Sequence, residues 1–209
     1  MGYTYKAQEI EEKIFNFVYK CAMHDAILQQ SFKGEEKSWV SEIKEPKIIL
    51  KGYIDKILRY GFPSQESHDL SFLETANSIC KEINNKRPCG INTDIFSFGN
   101  AQKLINITVK HIYTFCYQTP SLRENFRFCH CPLDAIMLGN VWKMCKGKID
   151  LGRRKDFCKA WGSEGINNND QPMLTSFPQR YALFQEAIRC LIGDGDMFSV
   201  EFDYTVWKS

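Results

Sequence analysis

The segment from Phe98 to Phe115 constrains the fold more than any other part of this chain. Its mostly apolar residues recur at steps of 3, 4, 3, 4 and 3, a spacing that places side chains on one face of an α-helix. These residues are Phe98, Ala101, Ile105, Thr108, Ile112 and Phe115. Because such a stripe must be covered by other elements, the segment predicts a central helix over about 97–117 with neighbours packed against it.

Helical spacing recurs elsewhere, whereas the C-terminal residues follow a different period. Further helices are predicted at about 6–31, 46–61, 67–84, 153–161 and 177–192, and after Pro132. Alternation of apolar and polar residues predicts a β-strand at the C-terminus, carried by Phe198, Val200, Phe202, Tyr204 and Val206. We therefore predict a mainly α, single-domain bundle of about six or seven helices over residues 1–209, with a short C-terminal β element. The loop at 89–96 is one candidate partner for that strand.

Composition narrows the class of protein. Lys and Arg number 27 against 25 Asp and Glu, and 44% of the residues are hydrophobic, as in an ordinary globular protein. Nine cysteines are dispersed along the chain, which favours reduced thiols in a bacterial cytoplasm over a disulfide scaffold. The absence of about 18 consecutive apolar residues predicts no membrane partner.

Charge is concentrated in the middle third of the chain. Residues 101–160 carry 11 basic and 4 acidic side chains. Basic residues alternate there with aromatic ones, and the cluster comprises Lys143, Lys146, Lys148, Arg153, Arg154, Lys155 and Lys159 with Trp142, Phe157 and Trp161. Cations beside aromatic rings favour single-stranded nucleic-acid binding, through phosphate neutralisation and base stacking. The alternative is that the tryptophans belong to the core.

The predicted central helix carries a second candidate anion site. Lys103, Asn106 and Lys110 follow one another at steps of 3 and 4, which predicts a polar ridge beside the apolar stripe. Gly99 at the helix start would let a phosphate or another backbone approach closely. The alternative is an ordinary solvated helix face.

The segment Phe128–Asp134 holds the candidate catalytic and metal-binding residues. His130 and Asp134, with the lysines of the ridge, would supply an acid/base group, a carboxylate and cations in one place. Asp134 alone is also explained by stabilisation of a helix start. We predict no metal or other cofactor; if zinc binds, Cys129 and Cys131 are the candidate ligands, and otherwise both are buried apolar residues. Cys131 as a nucleophile is a further alternative.

Two sequence motifs together resemble a family of uncharacterised, mostly helical bacterial proteins. The first runs from Phe98 through Gly99-Asn100-Ala101-Gln102-Lys103 to Asn106 and Lys110, and the second is His130-Cys131-Pro132-Leu133-Asp134. The resemblance covers 98–134 and implies that the ridge and the His-Cys-Pro-Leu-Asp turn belong to one site. It implies no particular activity.

We predict a bacterial cytoplasmic protein that binds nucleic acid or a nucleotide through its basic middle third, with a role in conflict between bacteria and phages. One alternative is a small hydrolase, such as a nuclease or phosphodiesterase, that uses His130 with Lys103 and Lys110. The other is a module or inhibitor that binds a protein partner through the basic residues. The sequence leaves open whether the protein is an enzyme.

Overall fold

A computed structural model describes residues 2–28, 40, 42–87, 95–153 and 174–206, with the backbone alone for 2–10 and 28. Eight helices account for most of these residues, which confirms the prediction of a mainly helical fold. They are α1 (Gly2–Leu28), α2 (Glu45–Tyr60), α3 (Gln65–Asn85), α4 (Phe98–Cys116), α5 (Pro120–Glu124), α6 (Ala135–Cys145), α7 (Gln179–Ile192) and α8 (Ser199–Val206). The helix predicted at 153–161 lies outside the described residues apart from Arg153.

Helix α4 is the centre of the fold, and its start is fixed by a reciprocal cap. Ser97 accepts a hydrogen bond from the Asn100 backbone, while the Asn100 side chain accepts one from the Ser97 backbone. The amide of Asn100 also donates to the Ala26 carbonyl of α1, over 2.6 Å. This capping pair therefore both begins α4 and attaches it to α1, the helix with which α4 makes its most extensive contact.

The predicted apolar stripe of α4 is buried except at its end. Its members from Phe98 to Ile112 lie in the core, but Phe115 is 62% exposed. The buried surface also extends beyond the stripe, because α1, α3 and α8 all pack against α4. Gln102, Asn106 and Tyr113 are consequently buried as well.

The prediction of a C-terminal β element is wrong, since residues 199–206 form helix α8. The described residues contain no strand, and most of the proposed partner loop at 89–96 falls outside them. Four of the five alternating residues are buried, namely Phe198, Val200, Phe202 and Val206, whereas Tyr204 is 38% exposed. Asp203 is buried too, so Val200, Asp203 and Val206 form a buried face with the spacing of a helix. A pattern that counts only apolar residues does not show this face, because Asp203 is charged. The carboxylate of Glu201 stabilises the helix start by accepting from the Phe198 backbone at 2.8 Å.

Helix α2 ends at a turn that requires glycine. Gly61 has a φ of 62°, and a Cβ at this position would lie 3.0 Å from the Cα of Asn125. Asn125 in turn donates to the Leu58 carbonyl at 3.1 Å. This close approach attaches the segment that leads to His130 to the end of α2.

Candidate functional site

The His-Cys-Pro-Leu-Asp segment is held by two glutamine side chains. It has no regular secondary structure up to Asp134. Gln102 of α4 donates to the Leu133 carbonyl at 2.8 Å and accepts from the Leu133 N–H at 3.4 Å. Gln185 of α7 donates to the Cys131 carbonyl at 2.8 Å and accepts from the Cys131 N–H at 3.2 Å. Each buried amide thus replaces the pairing that a neighbouring strand would give, and the backbone beside His130 is fixed.

His130 lies in the core, between a carboxylate and a tyrosine. Only 2% of the residue is exposed. Its Nε2 is 2.9 Å from Oδ1 of Asp69 and its Nδ1 is 2.9 Å from the Tyr181 hydroxyl. The rings of Phe72 and Phe177 pack on it, with centroid distances of 5.0 and 5.5 Å. His130 is therefore fully partnered and enclosed by aromatic rings.

His68 forms the same arrangement on the other side of Asp69. It is 0% exposed, and its Nδ1 is 3.1 Å from the Oδ1 of Asp69 to which His130 also bonds. Its Nε2 is 2.9 Å from the hydroxyl of Tyr53, which α2 contributes. The two imidazole rings meet edge to face, 4.7 Å apart. We call His68, Asp69 and His130 the His–Asp–His cluster.

The hydrogen bonds of the cluster define where its protons lie. Because a carboxylate only accepts, both histidines must direct an N–H at Asp69. Their other ring nitrogens then accept from the hydroxyls of Tyr53 and Tyr181. Gln65 donates to the same carboxylate oxygen at 2.7 Å. The cluster in this form holds two neutral imidazoles of opposite tautomer.

The environment of each group agrees with these protonation states. Burial lowers the pKa of His68 from its usual range to about 4 and also lowers the pKa of His130. Burial alone would raise the pKa of Asp69, but hydrogen bonds from His130 and His68 outweigh it and leave that pKa well below its usual range. Near neutral pH the cluster therefore carries one negative charge. The Asp69 side chain is 29% exposed, so this carboxylate is where solvent reaches the cluster.

The structure places the residues of the predicted ridge in three different surroundings. Lys103 is within 3.5 Å of the Asp25 carbonyl. Asn106 is only 1% exposed and donates to the Tyr181 hydroxyl at 3.1 Å, so it joins the network behind His130. Lys110 forms an ion pair with Asp203 and lies 4.8 Å from the centroid of the Tyr204 ring.

Asp134 serves as the N-cap of α6. Its Oδ1 accepts from the Met137 backbone N–H at 2.7 Å. It precedes the helix instead of occupying the first turn, but it stabilises the helix start as the alternative explanation required. Of the five residues assigned to one site, Asn106 and His130 share a partner in Tyr181.

The two candidate zinc ligands are buried. Cys129 and Cys131 are 1% and 0% exposed, and burial raises the pKa of both thiols. Neither belongs to the one group of three potential ligands that converges within the described part of the chain, which is the His–Asp–His cluster. A buried thiol with a raised pKa also lacks the thiolate that a nucleophile needs.

The described part of the basic cluster lies where α6 ends. Lys143, Lys146, Lys148 and Arg153 are exposed there, and we call them the basic end of α6. The Lys146 ammonium is 5.9 Å from the Trp142 ring centroid, and the indole N–H donates to the Gly152 carbonyl at 3.0 Å. Four of the predicted residues, Arg154, Lys155, Phe157 and Lys159, fall outside the described residues, as does Trp161.

The residues that complete the cluster around His130 are not related to it by any pattern in the sequence. Asp69 lies 61 positions away in the chain, and Tyr53 and Tyr181 belong to helices α2 and α7. No periodicity relates these residues to one another. The one local signal is the adjacent pair His68-Asp69, which follows the Ser64 N-cap of α3.

Comparisons of the chain with protein-family models, with curated proteins and with solved structures give no match. The resemblance of residues 98–134 to helical bacterial proteins therefore stays a prediction. Among the described helices, none is long and apolar enough to cross a membrane.

Proposed function

We propose that this protein binds single-stranded nucleic acid at the basic end of α6. The observation that carries the proposal is the exposure of Lys143, Lys146 and Lys148 at one helix end, where the Lys146 ammonium lies 5.9 Å from the Trp142 ring centroid. Ammonium groups at such a surface would neutralise phosphates, and the aromatic residues interleaved with the basic ones in the sequence favour single strands, whose bases can stack on rings.

Other basic residues of the middle third form ion pairs, whereas the lysines at the basic end of α6 do not pair with a described carboxylate. Lys110 pairs with Asp203, Arg123 with Glu201 and Arg127 with Glu124. Within the described ranges, by contrast, no carboxylate forms an ion pair with Lys143, Lys146 or Lys148. Cations without an internal partner are the ones that can release counterions when a polyanion binds.

A structural explanation for the same lysines has to be separated from the functional one. Cations near the last turn of a helix stabilise it through the helix dipole, by about 0.3–1 kcal/mol each. Lys143 occupies the last turn of α6. Binding and stability must therefore be measured on the same variants.

The test is the affinity for a labelled oligothymidylate of about 16 nucleotides, measured by fluorescence anisotropy over a range of salt concentrations. We expect that replacing Lys143, Lys146 and Lys148 together by Ala weakens binding at least tenfold. Because each phosphate contact adds roughly 0.7 to the slope of log affinity against log salt, the slope should fall by about 2.

The matched control removes the same charge elsewhere. Lys20, Lys44 and Lys81 are exposed lysines on or beside other helices, and replacing them by Ala leaves the basic end of α6 intact. Equal losses in the two triple variants would show an effect of net charge alone and contradict the proposed surface. Wild-type affinity no better than about 10⁻⁴ M at physiological salt would contradict nucleic-acid binding itself. The role in conflict with phages stays a prediction.

A further inference from the structure

We propose that the His–Asp–His cluster binds one divalent first-row transition-metal ion, through Nδ1 of His68, Oδ1 of Asp69 and Nε2 of His130. The proposal is independent of nucleic-acid binding at the basic end of α6, because the two regions share no residue. Two neutral imidazoles and a carboxylate suit Zn²⁺, Fe²⁺ or Co²⁺ better than Mg²⁺ or Ca²⁺, which prefer oxygen ligands alone.

Two of the three separations between the ligand atoms are close to those of a metal site. All of them lie within 4.8 Å of one another. Bonds of about 2.0–2.2 Å from one ion place neighbouring ligand atoms roughly 3 Å apart. The two nitrogen-to-carboxylate distances are 3.1 and 2.9 Å. A single ion bonded to all three atoms would take the place of the two N–H protons, and the Asp69 carboxylate would have to shift so that its Oδ1 and both nitrogens face the ion instead of one another.

Each histidine also has the outer partner that a metal ligand needs. Metal-bound imidazoles usually donate their second N–H to a fixed acceptor, which holds the ring in place. The hydroxyls of Tyr53 and Tyr181 occupy that position, 2.9 Å from the outer nitrogens of His68 and His130. When the metal binds, each ring loses the proton facing Asp69 and gains one facing its tyrosine. Both imidazoles remain neutral, and each hydroxyl changes from donor to acceptor.

The cluster has a protected side and an open side. Phe72 and Phe177 enclose His130, whereas the side chain of Asp69 is 29% exposed and borders Gln65. Three protein ligands leave at least one coordination position of a transition metal vacant. We place that position on the Asp69 side, where water or a small oxygen ligand can reach the ion.

The test is the titration of chelator-treated protein with Co²⁺, followed by its ligand-field absorption, and then displacement by Zn²⁺. We expect one ion per chain, with a spectrum that lacks sulfur-to-cobalt charge-transfer bands because both ring ligands are nitrogen. Sulfur bands would instead indicate binding by cysteines and would overturn the assignment.

Variants locate the site. Asp69→Asn keeps the size of the side chain but removes the anionic ligand, and it should weaken Co²⁺ binding by roughly 100-fold or more. Tyr53→Phe and Tyr181→Phe remove only the outer partners and should each weaken it by about 10–100-fold. The matched controls are Asp55→Asn and Tyr113→Phe, which alter a carboxylate and a buried tyrosine outside the cluster and should leave binding unchanged.

Circular dichroism and thermal melts establish which variants fold. Folded Asp69→Asn that binds Co²⁺ like the wild type would overturn the proposal. So would wild-type protein that binds no Co²⁺ or Zn²⁺ at micromolar concentrations, and the cluster would then be a hydrogen-bonded part of the core. If Asp69→Asn does not fold, the two Tyr→Phe variants and their Tyr113→Phe control decide the matter in the same way.

Discussion

The His–Asp–His cluster and the basic end of α6 show two opposite ways of placing polar groups in a small helical protein. The cluster takes its members and their partners from α2, α3, α7 and the segment before α6, and every ring nitrogen has a hydrogen-bond partner. The basic end of α6 takes its lysines from six consecutive positions, 143 to 148, and leaves them in solvent. The cluster therefore depends on the whole fold, whereas the surface depends on one helix end. Substitutions that remove packing should lower stability at the cluster, whereas substitutions at the basic end of α6 should weaken nucleic-acid binding and leave stability nearly unchanged.

The largest effect is expected where the packing of the cluster is removed. Phe72 is 0% exposed and packs on both histidines and on Tyr181. Phe72→Ala should lower the free energy of unfolding by about 3–5 kcal/mol, measured by urea denaturation. Phe115→Ala is the matched control, since Phe115 is 62% exposed and should cost far less. Similar losses at the two positions would contradict the enclosed site.

Acid should weaken the metal-free protein through the two buried histidines. The pKa of His68 falls from about 6.5 in the unfolded chain to about 4 in the folded one. Between these values the unfolded chain binds more protons, so stability is complete above about pH 6.5 and is lost as the pH falls toward 4. His68 alone should account for roughly 3 kcal/mol, and the lowered pKa of His130 acts in the same direction.

Urea denaturation in the presence of a chelator at a series of pH values measures this loss. His24→Gln is the control, because it removes an exposed histidine of α1 that lies outside the cluster. A free energy of unfolding that stays constant between about pH 6.5 and 4 would show that the histidines are not buried as neutral rings.

A smaller effect is expected at Asp134, which caps α6. Asp134→Ala should lower the free energy of unfolding by about 1 kcal/mol, because the Met137 N–H loses its acceptor. Asp134→Asn retains a capping oxygen and should be nearly neutral in thermal melts. If the Asn variant lost as much stability as the Ala variant, the charge of Asp134 and not its capping bond would be the important property.

The smallest effect on stability is expected at the basic end of α6. Lys146→Ala should change the free energy of unfolding by no more than about 0.5 kcal/mol, since an exposed side chain is removed. The same variant should measurably weaken oligothymidylate binding. A variant that loses stability but binds the oligothymidylate as well as the wild type would show that Lys146 has a structural role and no role in binding.

Local periodicity was sufficient for the longer helices, but it predicted neither α5 nor α8 and did not reveal the surroundings of each polar residue. The stripe from Phe98 to Ile112 was predicted correctly, because helical spacing depends only on neighbours along the chain. Asn106 was predicted on a polar ridge, yet it is buried because Tyr181 reaches it from α7. The C-terminal strand failed for a related reason, since the buried Asp203 looks like a solvent-facing residue until Lys110 is placed beside it.

The sequence likewise indicated some parts of the candidate site and not others. The resemblance placed the motif of Gln102 and Asn106 in one site with His130. In the structure Gln102 binds the Leu133 backbone, and Asn106 and His130 each bond to Tyr181. Lys103 and Lys110 instead contact Asp25 and Asp203. His68-Asp69 was not assigned to it, because contacts between distant segments leave no repeat in a sequence. The exposed lysines at the basic end of α6 could be predicted without knowledge of distant contacts, because residues 143 to 148 are close in the sequence and therefore close in space.

The two glutamine clamps have a consequence for how the chain folds. Gln102 and Gln185 lie 31 and 54 positions from the backbone groups they bind, on either side of the same short segment. His130 therefore cannot reach its final position until both α4 and α7 have docked. The amide protons of Cys131 and Leu133, although outside any helix, should exchange with solvent as slowly as those of the helix interiors, because only a large opening of the molecule releases them.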